Sequence, residues 1–263
     1  MDARTPILRL EGIDKRFNPA TINETEVFSG FHLTIYEGEF VSVVGSNGSG
    51  KTTMLNLICG SLNPDKGKIT LGDRNITGAP EYRRAQQIGR VFQDPSRGTC
   101  PSLTILENMS LADHKGRVFG LGEGVNRRRL DYYKSQLELL HLGLEDKTDI
   151  LVGALSGGQR QALSLLLSTM TPIDLLVLDE HTASLDPKSS ENVMALTDRL
   201  VKERNLTTVM VTHNLRFAVD YGNRLLMMHA GQCVIDASGT EKSGYQVRDL
   251  LGTFNEISIE CGN

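Results

Sequence analysis

Val41-Ser-Val-Val44 runs straight into Gly45-Ser46-Asn47-Gly48-Ser49-Gly50-Lys51-Thr52-Thr53, and the reading of that join decides the fold. The apolar run has the length and β-branched content of a buried strand. Gly45, Gly48 and Gly50 allow backbone conformations that turn successive N–H groups inward, a nest for anionic oxygens. A helix beginning within Gly50-Lys51-Thr52 and running through Met54, Leu55, Leu57 and Ile58 to Gly60 adds its N-terminal partial positive charge. Lys51 supplies a mobile cation for the β- and γ-phosphates of a nucleotide, and the Thr52 hydroxyl suits Mg²⁺. Ser46, Asn47, Ser49 and Thr53 complete the cradle. The alternative is a glycine-rich hairpin with a chance lysine, and the strand before the loop argues against it.

Outward from this loop the chain changes character twice. Ile7–Leu10, Phe31–Ile35 and Phe40–Val44 read as strands, with turn signals at Asn18-Pro19 and Glu37-Gly38. Lys68–Leu71 and Ile88–Phe92 fit further short strands. From about Asp94 to Ser168 the pattern is helical: Arg127–Leu140 carries Leu130, Tyr133, Leu137 and Leu140 at spacings of three and four, and Gly157–Met170 is rich in Leu and Ala. Strands and helices then alternate again through Leu175–Leu178, Ser189–Glu203, Thr207–Val211, Leu215–Tyr221 and Arg224–His229. The expected fold is α/β, a parallel sheet with a helical insertion between its halves. That divides 1–263 into a core (1–94 and 169–240), a helical subdomain (95–168) and a tail (241–263) with a short helix at Tyr245–Leu251.

Leu175-Leu-Val-Leu178 delivers Asp179 and Glu180 at its end. A buried parallel strand presents such acids at the sheet edge where ligands bind. Asp179 would hold Mg²⁺ directly or through water, and Glu180 would orient and polarise an attacking water. Adjacent acids in a solvated turn are common, so the loop at Lys51 carries much of this reading.

Composition excludes several classes. The net charge of −4 argues against a surface held by nucleic-acid phosphates. Trp is absent and aromatics are only 5%, so no base-stacking platform stands out. No apolar run reaches the roughly 18–20 residues that span a bilayer, and the N-terminus does not resemble a secretory signal. Cys59, Cys100, Cys233 and Cys261 lack metal-ligand spacing and are expected to be thiols in a reducing cytoplasm.

Leu155-Ser156-Gly157-Gly158-Gln159 names a family: it resembles, without a mismatch, the signature of ATP-binding cassette (ABC) ATPases. Other positions follow that family's order. Phe17 lies where an aromatic stacks on adenine, although a lone Phe near a strand is otherwise a core residue. Gln93 matches the Q-loop glutamine, a Mg²⁺ ligand that couples the γ-phosphate to rotation of the helical insertion. Ser184-Leu185-Asp186 matches the D-loop, and His213 the switch histidine that contacts the γ-phosphate. The resemblance implies a P-loop NTPase (RecA-like) core with an N-terminal antiparallel β subdomain and an inserted α-helical subdomain. It implies ATP and Mg²⁺ as ligands, with Ser156, Gly157, Gly158, Gln159 and Asp186 reaching nucleotide across a head-to-tail dimer of two copies. Catalysis would fall to Glu180, His213 and Gln93.

The family commonly has Pro after the glutamate, where this chain has His181. That imidazole either shifts Glu180 by charge or hydrogen bonding or simply occupies the turn. Arg127–Arg129 reads as a solvated helix face. Residues 94–110 resemble the surface that receives a membrane permease. The stretch from Asp179 to Pro187 resembles bacterial systems with a solute-binding protein, some assigned to tryptophan or tyrosine uptake. The implied place is the cytoplasmic face of the membrane, held there by the permease. An ABC exporter ATPase, or a non-transport ABC protein acting in translation, DNA repair or cluster assembly, is the alternative. The two-cassette chain, long coiled coil or basic surface usual in the non-transport class is not visible.

Overall fold

The computed structural model describes residues 5–116 and 124–260, with side chains to residue 256. The first four residues and Cys261 lie outside this range. In chain order the elements are β1 (Pro6–Phe17), β2 (Thr25–Tyr36), β3 (Phe40–Gly45), α1 (Lys51–Cys59), β4 (Lys66–Leu71), β5 (Arg74–Asn75), α2 (Glu81–Arg84) and β6 (Ile88–Val91). Then come α3 (Ile105–Asp113), α4 (Leu130–Glu138), α5 (Gly157–Ser168), β7 (Leu175–Asp179), α6 (Pro187–Glu203) and β8 (Thr208–Val211). The chain ends with α7 (Leu215–Asp220), β9 (Arg224–His229), β10 (Gln232–Ser238), α8 (Gly239–Gly244) and α9 (Val247–Glu260). The chain forms two compact units, Met1–Ala85 with Asn205–Asn263, and Gln86–Arg204.

The first unit holds an antiparallel sheet in the order β2-β1-β4-β5. Its first strand runs seven residues past the Leu10 end expected from alternation, because register shifts flank Ile13 and reset the two-residue period. Beside it β3 pairs in parallel with β8 and β9, and all six of its residues are buried. A strand covered on both faces reads as a continuous apolar run, which is why Phe40–Val44 was legible. Strand β10 was not expected. It returns antiparallel to β9 through Ala230-Gly231, both at positive φ (44° and 76°), the requirement of a tight primed hairpin usually signalled by Asn-Gly.

Helix α1 is fixed at its far end by Arg84, which donates to the carbonyls of Leu57 (2.6 Å) and Ile58 (3.1 Å), a cation on the negative end of the helix. The tail corrects the expected Tyr245–Leu251 helix: the helix is Val247–Glu260. Its Leu250 is buried with Val44, Ala218, Leu225 and Met227, and Phe254, one turn on, packs against the same cluster.

In the second unit β6 and β7 pair in parallel, and α5 packs on β6, α3, α4 and α6. This unit is wider than the expected helical segment 95–168: it also holds β6, β7 and α6, with α5 packed on β6 and α6 and β7 paired to β6. Arg204, at the end of α6, donates to the Thr169 carbonyl (2.6 Å) and to Gln136 Oε1 (2.8 Å), tying the ends of α4, α5 and α6. Arg127 and Arg128 are exposed as expected, but Arg129 is half-buried and its Nε lies 3.3 Å from the buried Asp113. No described helix is long and apolar enough to cross a membrane. Cys59, Cys100 and Cys233 form no disulfide.

Candidate nucleotide site

The sheet sets the loop after β3. A Cβ at Gly45 would lie 2.3 Å from the Met228 carbonyl on β9, so only glycine lets this strand end pass so close. Helix α1 begins at Gly50 with no side-chain cap, which leaves its first-turn N–H groups for an anion. Lys51 is 5% exposed, and its ammonium folds back onto the loop. It donates to the carbonyls of Gly45 and Ser46, both at 2.8 Å, and to Ser49 Oγ at 3.4 Å. Gly45, Ser46, Asn47, Thr212, His213 and Phe254 line one cavity of about 260 Å³. The structure thus brings His213, from the loop after β8, to the phosphate loop. Thr52 is exposed and Thr53 half-buried. Phe17 is half-buried at the end of β1, with the Lys15 ammonium 5.7 Å from its ring centre.

In the second unit Asp179 ends β7 in an ion pair: Arg90 Nη2 lies 2.8 Å from its Oδ2, with the two side chains 9% and 15% exposed. Glu180 follows in the left-handed region (φ 49°), an uncommon and costly conformation for a residue with a side chain. Its carbonyl accepts from the Ala183 N–H at 2.9 Å, closing a tight turn. Gln93 is exposed, and its carbonyl accepts from Ser184 Oγ at 3.1 Å, so the matched Q-loop and D-loop segments touch. Asp186 is committed to capping α6: its Oδ1 accepts from the Ser189 N–H at 3.0 Å, and hydrogen bonds from Ser189 hold its carboxyl below the ordinary range.

Ser156 caps α5 in a reciprocal box, its Oγ accepting from the Gln159 N–H (3.3 Å) while Gln159 Oε1 accepts from the Ser156 N–H (3.1 Å). The signature is thus a pre-formed helix N-terminus before any ligand arrives. A Cβ at Gly158 would meet Ser189 Cβ at 3.2 Å, so glycine seats this end against α6. Gly157 adjoins Leu185 in the same way.

The donors fit the ligands the loop implies. Thr52, Gln93 and Asp179 offer hard oxygen atoms, and no described group of three His, Cys, Asp or Glu forms a self-sufficient metal cage. Oxygen atoms are the donors that Mg²⁺ takes, typically one or two from a protein together with nucleotide phosphates.

His181 resolves into the turn reading. It is 1% exposed and its Nε2 lies 3.1 Å from Thr197 Oγ1 on α6. Burial pushes its imidazole down to about 4, so it is neutral at physiological pH. An unfolded chain takes up this proton near pH 6.5 and the folded chain does not. The stability from the neutral ring is therefore complete above pH 6.5 and lost as pH falls towards 4, a total of about 3 kcal/mol. Denaturant melts across that window should show His181→Gln flattening the slope; an unchanged slope would exclude His181 as its source.

The sequence reading passed over three features. Arg90 was invisible because its partner lies 89 positions away. Ser156 is legible as the N-cap of α5, but the reciprocal Gln159 half of its capping box and the whole Thr104-x-x-Glu107 box went unread although both patterns stand in the sequence. Asn108 clips the loop before α3, accepting from the Cys100 N–H (2.7 Å) and donating to its carbonyl (3.0 Å).

The family profile described as ABC transporter matches residues 28–183. The chain is 46% identical over 248 residues to the tyrosine transport ATP-binding protein of Clostridioides difficile (strain R20291), covering 94% of this chain and 98% of that one. It is 34% identical over 240 residues to the phosphonates import ATP-binding protein PhnC 1 of Rhodopseudomonas palustris (strain HaA2), covering 89% and 83%. Its fold is similar to MJ1267, an ATP-binding cassette of an ABC transporter in its ADP conformation (TM-score 0.79, 25% identity, 98% and 99% covered). It also matches the dimeric post-hydrolysis state of the cassette MJ0796 bound to ADP and Pi (0.73, 28%, 88% and 98%). With a phosphate loop, a strand-end acid pair and a capped signature helix in the expected order, the chain belongs to the ABC transporter family as an ATP-hydrolysing subunit.

Proposed function

We propose that this ATPase drives uptake of a small solute, of the aromatic amino acid type, through a membrane permease. Two copies pair head to tail with two MgATP in the seam. In each site Lys51 and the N–H groups of residues 45–53 grip the phosphates, with Phe17 against adenine. Thr52, Gln93 and Asp179 face Mg²⁺. Glu180 polarises the attacking water, while His213 and Gln93 contact the γ-phosphate side. Ser156, Gly157, Gly158, Gln159 and the D-loop at Asp186 close the site from the partner copy.

The observation that carries this reading is the pair of glycine-rich helix N-termini, α1 with no side-chain cap and α5 capped by Ser156. A motor that opens and closes on ATP needs two such surfaces. Residues 95–168 would act as the moving helical subdomain, and the segment 94–110 would receive the permease. Support for the docking role is local order: Asp94 caps the turn Pro95–Arg97, and Asn108 and the Thr104 box fix the loop that follows. The subunit would sit on the cytoplasmic face of the membrane, with an extracytoplasmic solute-binding protein in the same system. The 46% identity to a tyrosine transport protein favours that class of solute, and the 34% identity to a phosphonates import protein favours import over export.

Co-purification from detergent-solubilised membranes tests it. The expected companion is a polytopic permease, with ATPase activity stimulated by a solute-binding protein loaded with tyrosine or tryptophan. Recovery with ribosomes or DNA-repair factors, and no membrane protein, would contradict the transport reading.

A further inference from the structure

Arg90 pairs with Asp179, the carboxylate that the proposed function assigns to the Mg²⁺ side. Its guanidinium makes a mostly buried ion pair with Asp179 at 2.8 Å and also lies 4.6 Å from the centre of the Phe92 ring. Arg97 covers the same ring at 4.5 Å. The Phe92 carbonyl accepts from Gln161 Nε2 on α5 at 2.9 Å, so both the ring and the backbone leading to Gln93 are held in place. A planar guanidinium can stack on an aromatic face while aiming an N–H at a carboxylate in its own plane; a lysine cannot do both.

We infer that Arg90 is a positioning residue that stands in for Mg²⁺ at Asp179. It neutralises and aims the carboxylate while the metal is away, and it competes with the metal for that carboxylate when nucleotide arrives. This rests on the reading of Asp179 as the Mg²⁺-side acid. An unpaired carboxylate in such a place is costly to bury, and in the empty protein it would repel an incoming triphosphate. Arg90 removes both penalties, and in doing so it weakens the preference for metal-loaded over metal-free ATP.

The readout is a binding ratio, so turnover is not needed. The dissociation constant of ATP in EDTA is divided by that of ATP in excess Mg²⁺, using equilibrium dialysis on the full chain carrying Glu180→Gln to prevent hydrolysis. Arg90→Met should raise this ratio about tenfold, equivalent to about 1.4 kcal/mol. Arg90→Lys, which keeps the charge but loses the stacking, should raise it less. In an Asp179→Asn background most of the effect of Arg90→Met should disappear, as coupled residues require. A merely structural role would weaken both affinities together and leave the ratio flat, and that result overturns the inference. Melting curves in EDTA accompany each variant, and Arg90→Lys carries the test if Arg90→Met does not fold. The two readings fail separately. If Asp179→Asn lowers the ratio but neither Arg90 variant changes it, only the role of Arg90 is lost. If Asp179→Asn leaves it unchanged, the Mg²⁺ reading of Asp179 is wrong and this inference goes with it.

Discussion

Lys51→Ala is expected to abolish ATP-dependent pairing and to cut turnover by roughly a hundred- to a thousandfold, the usual cost of removing one pre-aimed charge donor. The argument begins in the ligand-free loop. The Lys51 ammonium is buried and makes three hydrogen bonds to the backbone and to Ser49, so it is pre-placed at the mouth of α1 rather than waving in solvent. Among its acceptors are two neutral carbonyls and a hydroxyl. A triphosphate oxygen is a stronger partner for a cation, so exchange towards nucleotide is favourable and needs little reorganisation. Alanine also leaves the Gly45 and Ser46 carbonyls without this donor, so the variant should lose about 1–3 kcal/mol of stability. ATP binding by calorimetry and turnover by phosphate release, both below the lowered melting temperature, separate the two effects. Wild-type turnover in Lys51→Ala would remove the phosphate role from this loop.

Glu180→Gln should bind ATP normally, slow hydrolysis by roughly 10²–10⁴-fold, and accumulate as an ATP-bound dimer on a sizing column. Glutamine keeps the length and can occupy the same turn, but it cannot accept the proton of an attacking water. The backbone supports the assignment. Glu180 is held at φ 49° by the turn to Ala183 and by the buried neighbour His181, and a strained conformation at a strand end is a common mark of a residue aimed for function. If the variant turns over ATP at the wild-type rate, the general base is another residue.

Much of this was legible in the sequence, for physical reasons that differ by element. Strands β3 and β7 are buried on both faces, and that burial writes itself as an unbroken apolar run. The loop from Gly45 to Thr52 was legible because few other sequences can turn backbone N–H groups onto an anion. The extension of β1 beyond Leu10 was hidden by the shifts around Ile13, which move apolar residues out of phase. The return strand β10 hides behind an Ala-Gly turn and a burial pattern with only Ala237 fully buried. The length of α9 was missed because its anchors, Leu250 and Phe254, are few, and their partners lie on β3, α7 and β9. Arg90 illustrates the general limit. An arginine inside a short apolar strand is an oddity in one dimension and becomes intelligible only when Asp179 is set beside it.

The most direct measurement is a cryo-EM reconstruction of the Glu180→Gln protein with MgATP. The account predicts two nucleotides buried between two copies. Each γ-phosphate should meet Lys51 of one copy on one side, and Ser156 and Gly158 of the other on the opposite side. A closed pair holding ATP with Ser156 and Gly158 remote from both γ-phosphates, or a fully loaded monomer that never pairs, would contradict it.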